Sequence, residues 1–542
     1  MHPRAERTTA PYGSWESPIS AAAVSAAGRT AEGLAVAGDG RLVWVETRPE
    51  EGGRAVLVKE PAEPGCKVRD VTPQGFAVRS LAQEYGGGAF AVHRDIVVFS
   101  NYTDQRLYKQ RIGDNLPLPL TPDYAGSVVR YADGVFDPHF HHFVTIMEDH
   151  RHDSSNPITT IAAVRIGDRD VEEPTMLVSG SDFYAFPRVD PTKKRMAWIE
   201  WSNPNMSWDK SQLWVGYFNE KGSYDFLGED DSSHKIICCY RENGKSYIGV
   251  LDHDLESFSK IDIPFSSVNN IVSGDGSFYI EGASASLPVS IAKVTLDEKK
   301  TMATDFSIVW SSSEDIAKYK SYFSLPEFVE FPTVIPGQNA YAYFYAPYND
   351  IFQGGPTDEA RGVLDLSVQY WTSRGWAFVD VNYGGSSGYG REFRERLLGQ
   401  WGVVDVNDCC SCATFLIADL ASLREGMHKF EAYYIDNLVG NKQAYFERSP
   451  INFVDKFSCP VILFQGLDDP VVSPDQATKI YKAIKDKGLP VALVEYEGEQ
   501  HGFRKAENIK FTLEQEMVFF ARLVGKFKVA DDITPIKIEN FD

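Results

Sequence analysis

Two short polar segments late in the sequence carry residues suited to acid–base chemistry. Gly466-Leu-Asp-Asp-Pro470 follows the apolar run Val461–Phe464, and Gly498-Glu-Gln-His-Gly502 follows an apolar run that begins at Val491. Both runs have the length of a buried strand. A carboxylate on a neighbouring strand end could orient an imidazole, which then takes a proton from a nucleophile. An aspartate turn with a single histidine is also common as a purely structural feature, so both interpretations stay open at this point.

A serine nucleophile would complete such a site, and the spelling Gly-x-Ser-x-Gly occurs once, at Gly384-Gly-Ser-Ser-Gly388 with Ser386 in the middle. It follows the predicted buried strand Trp376–Val381, as a nucleophile turn should. The next segment, Tyr389–Arg396, is strongly charged. The helix after a nucleophile turn packs against the sheet, so small apolar residues are expected there. The pattern therefore disfavours Ser386 as the nucleophile.

The elements that must position these residues form an α/β pattern from Pro326 onward. Short runs at 328–331 and 340–344 predict an antiparallel pair around a Pro-Gly turn at 336–337. Later strands alternate with predicted helices at 403–416, 474–487 and 508–526. This alternation predicts a parallel sheet with helices on both faces, and ligands of such sheets bind at the carboxyl ends of the strands.

The first half of the chain repeats a different unit, over residues 33–312. Each unit has a β-rich run, a polar turn and a second β-rich run. The first runs begin at Leu42, Ile96, Phe143, Met196, Ile236 and Phe278. Their start-to-start spacings are 54, 47, 53, 40 and 42 residues, near the ~40–50 residue period of propeller blades. The repeats predict a β-propeller with six visible units; a large β-sandwich is the alternative.

Composition limits the classes of partner. The chain has 542 residues and a formal net charge of −22, which repels phosphate backbones and argues against nucleic-acid binding. The apolar runs are too short to span a membrane. Seven cysteines, some in adjacent pairs, indicate reduced thiols and a cytoplasmic location. A plastid location is the alternative, because residues 20–30 are rich in Ala, Ser and Arg.

Two clusters could suggest a metal. The first is the histidine group His139, His141, His142, His150 and His152. It lacks the cysteines or tight carboxylates of a complete site, so a strand with its solvent turn is the simpler interpretation. The second is Cys409, Cys410 and Cys412, whose helical positions do not converge on one ion. We therefore expect neither a metal nor a cofactor.

The chain resembles the prolyl oligopeptidase family of serine peptidases, in the branch of acylaminoacyl-peptidases and dipeptidyl aminopeptidases. The matching stretches run through both halves of the sequence: Glu84–Phe90, Trp201–Met206, Gly354–Thr357, Asn382–Gly390, Trp401-Gly402, Gly466–Val472 and His501–Phe503. The resemblance implies an N-terminal β-propeller at 33–312 and a C-terminal α/β-hydrolase domain at 313–542, with residues 1–32 as an extension packed on one of them.

The resemblance also implies roles for individual residues and a substrate class. Asp469 takes the position of the catalytic aspartate and His501 that of the catalytic histidine. Gly355 falls where the family donates a backbone N–H to the oxyanion. The implied substrates are short or N-acylated peptides, cleaved through an acyl-enzyme.

Several internal segments of the family pattern are missing from the sequence. At 416/417 a helical stretch runs on where the family inserts a strand, the nucleophile turn, a helix and another strand. Abrupt junctions also occur at 353/354 and at 222/223, the latter leaving six propeller units where seven are expected. We therefore predict that the chain as written does not hydrolyse peptides, and that it resembles a truncated isoform or an incomplete gene model. The alternative function is a non-catalytic propeller scaffold that binds peptides or partners; the oligomeric state stays open.

Overall fold

The computed structural model describes most of the chain. The residues described are 10, 12–63, 66–137, 142–167, 171–190, 195–217, 235–252, 256–274, 277–299, 301–313, 316–346, 348–349, 352–353, 362–410, 434–470, 472–525 and 527–542.

Six antiparallel sheets follow one another through residues 30–311, and in each the strands pair in chain order. Consecutive pairing is favoured here because each strand is joined to the next by a short polar turn. The strands of the six sheets are Thr30–Val36, Leu42–Arg48, Arg54–Lys59 and Arg69–Asp70; Phe90–His93, Ile96–Ser100, Leu107–Arg111 and Leu118–Pro119; Val129–Asp137, His142–Asp149, Ile158–Arg165 and Thr175–Val178; Phe183–Val189, Arg195–Trp201 and Gln212–Tyr217; Lys235–Glu242, Lys245–Asp252 and Ser257–Ile261; Ser267–Gly274, Ser277–Ser284, Leu287–Leu296 and Ala303–Ser311.

Apolar clusters join most neighbouring sheets face to face. The first and sixth sheets also meet, with Trp44 and Tyr279 buried between them. At this join the indole Nε1 of Trp310 donates a 2.7 Å hydrogen bond to Glu46 Oε2. The sheets are the blades of a β-propeller, which confirms the fold class and the six repeats. Within the described ranges, no buried apolar cluster joins the fourth and fifth sheets, the interval that contains the 222/223 junction.

The described residues of the hydrolase half form two principal sheets. Strands Pro326–Pro332, Asn339–Tyr345 and Phe378–Asn382 form an antiparallel sheet, whereas Val461–Gly466 and Val491–Tyr496 pair in parallel. The antiparallel pair predicted at 328–331 and 340–344 is confirmed, and the predicted parallel pairing is confirmed for the last two strands. The strand predicted at 376–381 begins at Phe378 and pairs antiparallel with Asn339–Tyr345. None of the described residues between 383 and 460 forms a strand, so no strand in the described part of the chain connects the two sheets.

Short helices, tight turns and one small hairpin, most of them in the hydrolase half, complete the fold. The helix Pro474–Asp486 matches the predicted 474–487, with proline at its first position, where a missing N–H costs nothing. The described elements are Ala21–Ala26, Leu366–Thr372, Arg391–Glu395, Val404–Cys410, Tyr434–Val439, Lys442–Arg448, Pro474–Asp486 and Ala506–Phe520 as α-helices, Pro49–Glu51, Ile316–Tyr322 and Pro450–Lys456 as 3-10 turns, Ala521–Gly525 as a π turn, and Tyr348–Asn349 with Phe352–Gln353 as the hairpin.

The N-terminal segment belongs to the packing of the hydrolase half. Ile19 and Val24 lie in one buried cluster with Tyr370 and Met517. Beside them Arg374, only 2% exposed, donates to both carboxylate oxygens of Asp531 at 2.8 and 2.9 Å. Residues from both ends of the chain thus fix the helix Leu366–Thr372. No helix in the described part of the chain is both long and apolar enough to cross a membrane.

Candidate active site

The two parallel strands place their following loops side by side. Val461 pairs with Val491, and the register continues without a shift to Gly466 opposite Tyr496. Just beyond the strands, Asp468 N–H donates to the Glu499 carbonyl at 2.9 Å. A Cβ at Gly466 would lie 2.5 Å from the Gln500 carbonyl oxygen, closer than side-chain atoms approach. Glycine at this position therefore allows the two loops to pack directly against each other.

His501 and Asp469 lie within hydrogen-bonding distance across these loops. The distance from His501 Nδ1 to Asp469 Oδ2 is 3.0 Å. The aspartate side chain is 8% exposed, whereas the imidazole is 53% exposed. Asp469 is held in place because its Oδ1 accepts the Val472 N–H at 2.9 Å. With Nδ1–H donating to the carboxylate, Nε2 becomes the nitrogen that can act as a base.

Glu499 supports the histidine loop, and the sequence reasoning missed it. Its carboxylate is 2% exposed and accepts three hydrogen bonds of 2.9 Å, from the backbone N–H groups of Arg504 and Lys505 and from the Asn508 side chain. These donors begin the helix Ala506–Phe520, where free N–H groups and the helix dipole favour a carboxylate. The signal available in the sequence was a glutamate seven residues before the start of this helix.

Gln500 connects the same loop to the propeller. Its Nε2 donates to the Tyr102 hydroxyl at 3.0 Å, and Tyr102 follows the strand Ile96–Ser100 of the second sheet. Its Oε1 accepts from Arg504 Nη1 at 3.3 Å. The histidine loop therefore faces the propeller, and the space beside it is bounded by both halves of the chain.

Ser386 lies in a different part of the hydrolase half. It occupies the turn after the strand Phe378–Asn382, where its backbone N–H donates to the Tyr383 carbonyl at 2.9 Å. In the described structure its hydroxyl forms no hydrogen bond with His501 or any other residue. The turn is fixed by Gly384 N–H bonding Asp408 Oδ2 at 2.9 Å. The structure does not join Ser386 to the histidine–aspartate pair.

The end of the same turn contacts the propeller. Gly244 N–H donates to the Gly388 carbonyl at 3.3 Å, and Tyr389 packs so close to Gly244 that a Cβ there would lie 2.6 Å from the Tyr389 hydroxyl. These contacts explain the glycine- and tyrosine-rich sequence as a contact between the two halves.

Several other sequence predictions fall wholly or partly outside the described residues. Gly355 lies there, as do His139, His141 and Cys412. Of the remaining histidines, His150 is bonded through Nε2 to Glu148 at 2.7 Å. Where the structure describes the chain, no group of three or more His, Cys, Asp or Glu side chains could hold a metal ion. The cysteines with described environments (Cys66, Cys238, Cys239, Cys409 and Cys459) form no disulfides.

Comparison with known proteins points to one family. The model of the prolyl oligopeptidase family matches residues 363–425 and 419–527. Dipeptidyl aminopeptidase BIII of Pseudoxanthomonas mexicana is 23% identical over 265 residues, which are 40% of this chain. The matched region spans 38% of that relative's length, so this chain corresponds to less than half of the curated relative.

Solved structures match over almost the whole chain. A puromycin-hydrolysing peptidase from Mycobacterium tuberculosis is 28% identical with a TM-score of 0.87, and the match covers 98% of this chain and 100% of that one. An acylaminoacyl peptidase from Pyrococcus horikoshii is 13% identical with a TM-score of 0.60, covering 93% and 97% of the two chains, and shows the fold alone.

Proposed function

This chain belongs to the prolyl oligopeptidase family of peptidases, and from that premise we propose that His501 and Asp469 are the base and the orienting carboxylate of acyl-transfer chemistry on short or N-acylated peptides. The observation that carries this proposal is the 3.0 Å contact from Nδ1 to Oδ2 between a buried carboxylate and a half-exposed imidazole. The carboxylate selects the tautomer and stabilises the imidazolium that forms when the base takes a proton.

In the complete reaction, a serine hydroxyl would attack the scissile carbonyl while His501 Nε2 removes its proton. The imidazolium would then give that proton to the leaving amine, and water would release the acyl group by the reverse roles. Backbone N–H groups, with Gly355 as the candidate donor, would stabilise the oxyanion by about 3–4 kcal/mol.

We further propose that this chain lacks the nucleophile and so does not carry out that reaction. Ser386, in the one Gly-x-Ser-x-Gly stretch, makes no hydrogen bond to His501 in the described structure. Two further observations support the idea of missing internal segments. The family model matches in two pieces that meet at residues 419–425, close to the 416/417 junction, and no described residue from 383 to 460 supplies a central strand.

A fluorophosphonate probe tests this proposal, because it reacts only with an activated serine. We expect no labelling of the purified 542-residue chain. Labelling that disappears in His501→Ala would show that an activated serine is present, and loss in Ser386→Ala would identify it. Transcript sequencing across 222/223, 353/354 and 416/417 tests the origin of the gap. A Gly-x-Ser-x-Gly segment recovered near 416/417 would assign hydrolysis to the longer product.

The second candidate is a peptide-binding protein without catalysis. Two observations favour it. Contacts such as Gln500–Tyr102 bound a space between the two halves, and the proposed nucleophile is missing. Peptide binding by a chain that the probe does not label would support this candidate.

A further inference from the structure

We propose that Arg79 and Arg504 form a carboxylate-binding site beside His501, one that holds the carboxylate of a bound peptide; this inference rests on the proposed function. Arg79 comes from the propeller and Arg504 from the loop that follows His501. The site would therefore form only where the two halves meet.

A chain of contacts brings the two arginines to the same place. The Arg79 guanidinium lies over the Tyr102 ring, 5.2 Å from its centroid. The Tyr102 hydroxyl accepts from Gln500 Nε2 at 3.0 Å, and Gln500 Oε1 accepts from Arg504 at 3.3 Å. Gln500 directly precedes His501, so both guanidinium groups lie at the edge of the histidine loop.

Neither guanidinium has a carboxylate partner within the part of the chain that the structure describes. Arg79 is half-buried, and its side chain makes no hydrogen bond or ion pair there. Arg504 is also half-buried and bonds only the neutral amide of Gln500. An arginine stays charged in proteins, so two half-buried guanidinium groups near each other repel unless an anion joins them.

The surrounding charges do not remove this need for an anion. Burial and the nearby Arg504 lower the pKa of Arg79, and Tyr102 and Glu32 only partly oppose this. Glu499 lies below the loop, but its two oxygens already accept three N–H donors. In a chain with a net charge of −22, this pair of arginines forms a local positive site.

Hydrogen bonds to the third sheet hold the loop that follows Arg79. Gln83 and Glu84 both have positive φ, 55° and 65°, a conformation that non-glycine residues rarely adopt. Glu148 Oε2 accepts the Gln83 N–H at 3.0 Å, and Arg130 donates to the Leu81 carbonyl at 2.8 Å. A binding residue beside a backbone held in this way has less freedom to lose when a carboxylate binds, which suits a recognition site.

Calorimetric titration of the full chain with matched peptides tests the proposal. The probes are N-acetyl-tetra-alanine as the free acid, the same peptide as its C-terminal amide, and an amidated peptide with one glutamate. We expect the free acid to bind about tenfold more tightly than the amide. Arg79→Met and Arg504→Met should each remove that preference without changing binding of the amide. Arg111→Met, at an exposed residue of the second sheet paired with Asp95, is the control and should change nothing.

The other outcomes separate this inference from the proposed function. Equal binding of acid and amide would overturn the carboxylate site and leave peptide binding intact. A preference that survives both substitutions would also overturn it, since the carboxylate would then bind elsewhere. Tight binding of the glutamate peptide, lost in the two variants, would support the site and assign it to an acidic side chain. No binding of any peptide would overturn both the inference and peptide binding by this chain.

Discussion

The propeller and the hydrolase half stabilise their sheets in different ways. In the propeller, each sheet is built from strands that are neighbours in sequence, and apolar clusters such as Val43, Leu57 and Val97 fill the space between adjacent sheets. In the hydrolase half, the two principal sheets are separate, and each ends at an unpaired edge within the described residues.

The difference follows from how the strands are connected. A propeller blade pairs its own strands, so losing one unit leaves its neighbours folded. A parallel sheet pairs strands that are far apart in sequence, so losing a central strand separates the rest. Unpaired edges also expose backbone groups that attract other chains. The contact between His501 and Asp469 needs only the two neighbouring strands Val461–Gly466 and Val491–Tyr496.

The largest expected effect compares the same substitution in the two halves. Leu57 is fully buried in the first propeller sheet, whereas Leu463 is half-buried in the parallel pair. Leu57→Ala should cost about 3–4 kcal/mol of local stability and Leu463→Ala about 1–2 kcal/mol, because a partly exposed side chain loses less on truncation. Hydrogen exchange of the amides in each strand measures the two regions separately. Equal losses would show that the hydrolase sheet is as well packed as the propeller.

A smaller effect concerns the pH dependence of the hydrolase half alone. Burial raises the pKa of Glu516, on the helix Ala506–Phe520, to about 7 from an ordinary 4.5. The folded state therefore binds a proton that the unfolded state has already lost between about pH 4.5 and 7, so stability falls as pH rises through that window. Glu516→Gln should remove this fall and stabilise the hydrolase half by about 1–2 kcal/mol at pH 8, allowing for partial exposure.

Calorimetric scans between pH 4.5 and 8 measure this effect. Glu507→Gln, which removes the same charge from an exposed position on the same helix, is the control. An unchanged pH profile in the Glu516→Gln variant would contradict the assignment of the fall to this carboxyl.

The smallest effect tests whether the propeller is closed between the first and sixth sheets and open beside the fourth sheet. Trp310→Phe removes the buried hydrogen bond to Glu46 between the first and sixth sheets and should cost about 1 kcal/mol, because Arg29 and Arg48 still bind that carboxylate. The matched change Trp214→Phe lies in the fourth sheet, where the indole is 48% exposed, and should cost less than about 0.5 kcal/mol. Hydrogen exchange of the amides in the strands Leu42–Arg48 and Gln212–Tyr217 measures the local stability at each of the two joins. A larger cost at Trp214 would show that the fourth sheet is covered by other parts of the chain.

The fold of each half was predictable to different extents. Hydrophobic alternation and turn spacing are local, and they predicted the six propeller units and the helix Pro474–Asp486. The same local signals could not predict that Phe378–Asn382 pairs antiparallel with Asn339–Tyr345, because the choice of strand partner depends on which other strands are present. The antiparallel pair around the Pro-Gly turn and the strand pair at the end of the chain were therefore predictable, whereas the partner of Phe378–Asn382 was not.

The sequence by itself determined the chemical groups: an aspartate and a histidine after two strand-length runs, and one Gly-x-Ser-x-Gly stretch followed by charged residues. Only the tertiary structure decided which groups meet. The unshifted parallel register places Asp469 3.0 Å from His501, burial of Glu499 fixes the loop, and docking of Gln500 on Tyr102 brings Arg79 beside Arg504. Those contacts join residues far apart in the chain, and their distances are set by packing, which local sequence patterns do not specify.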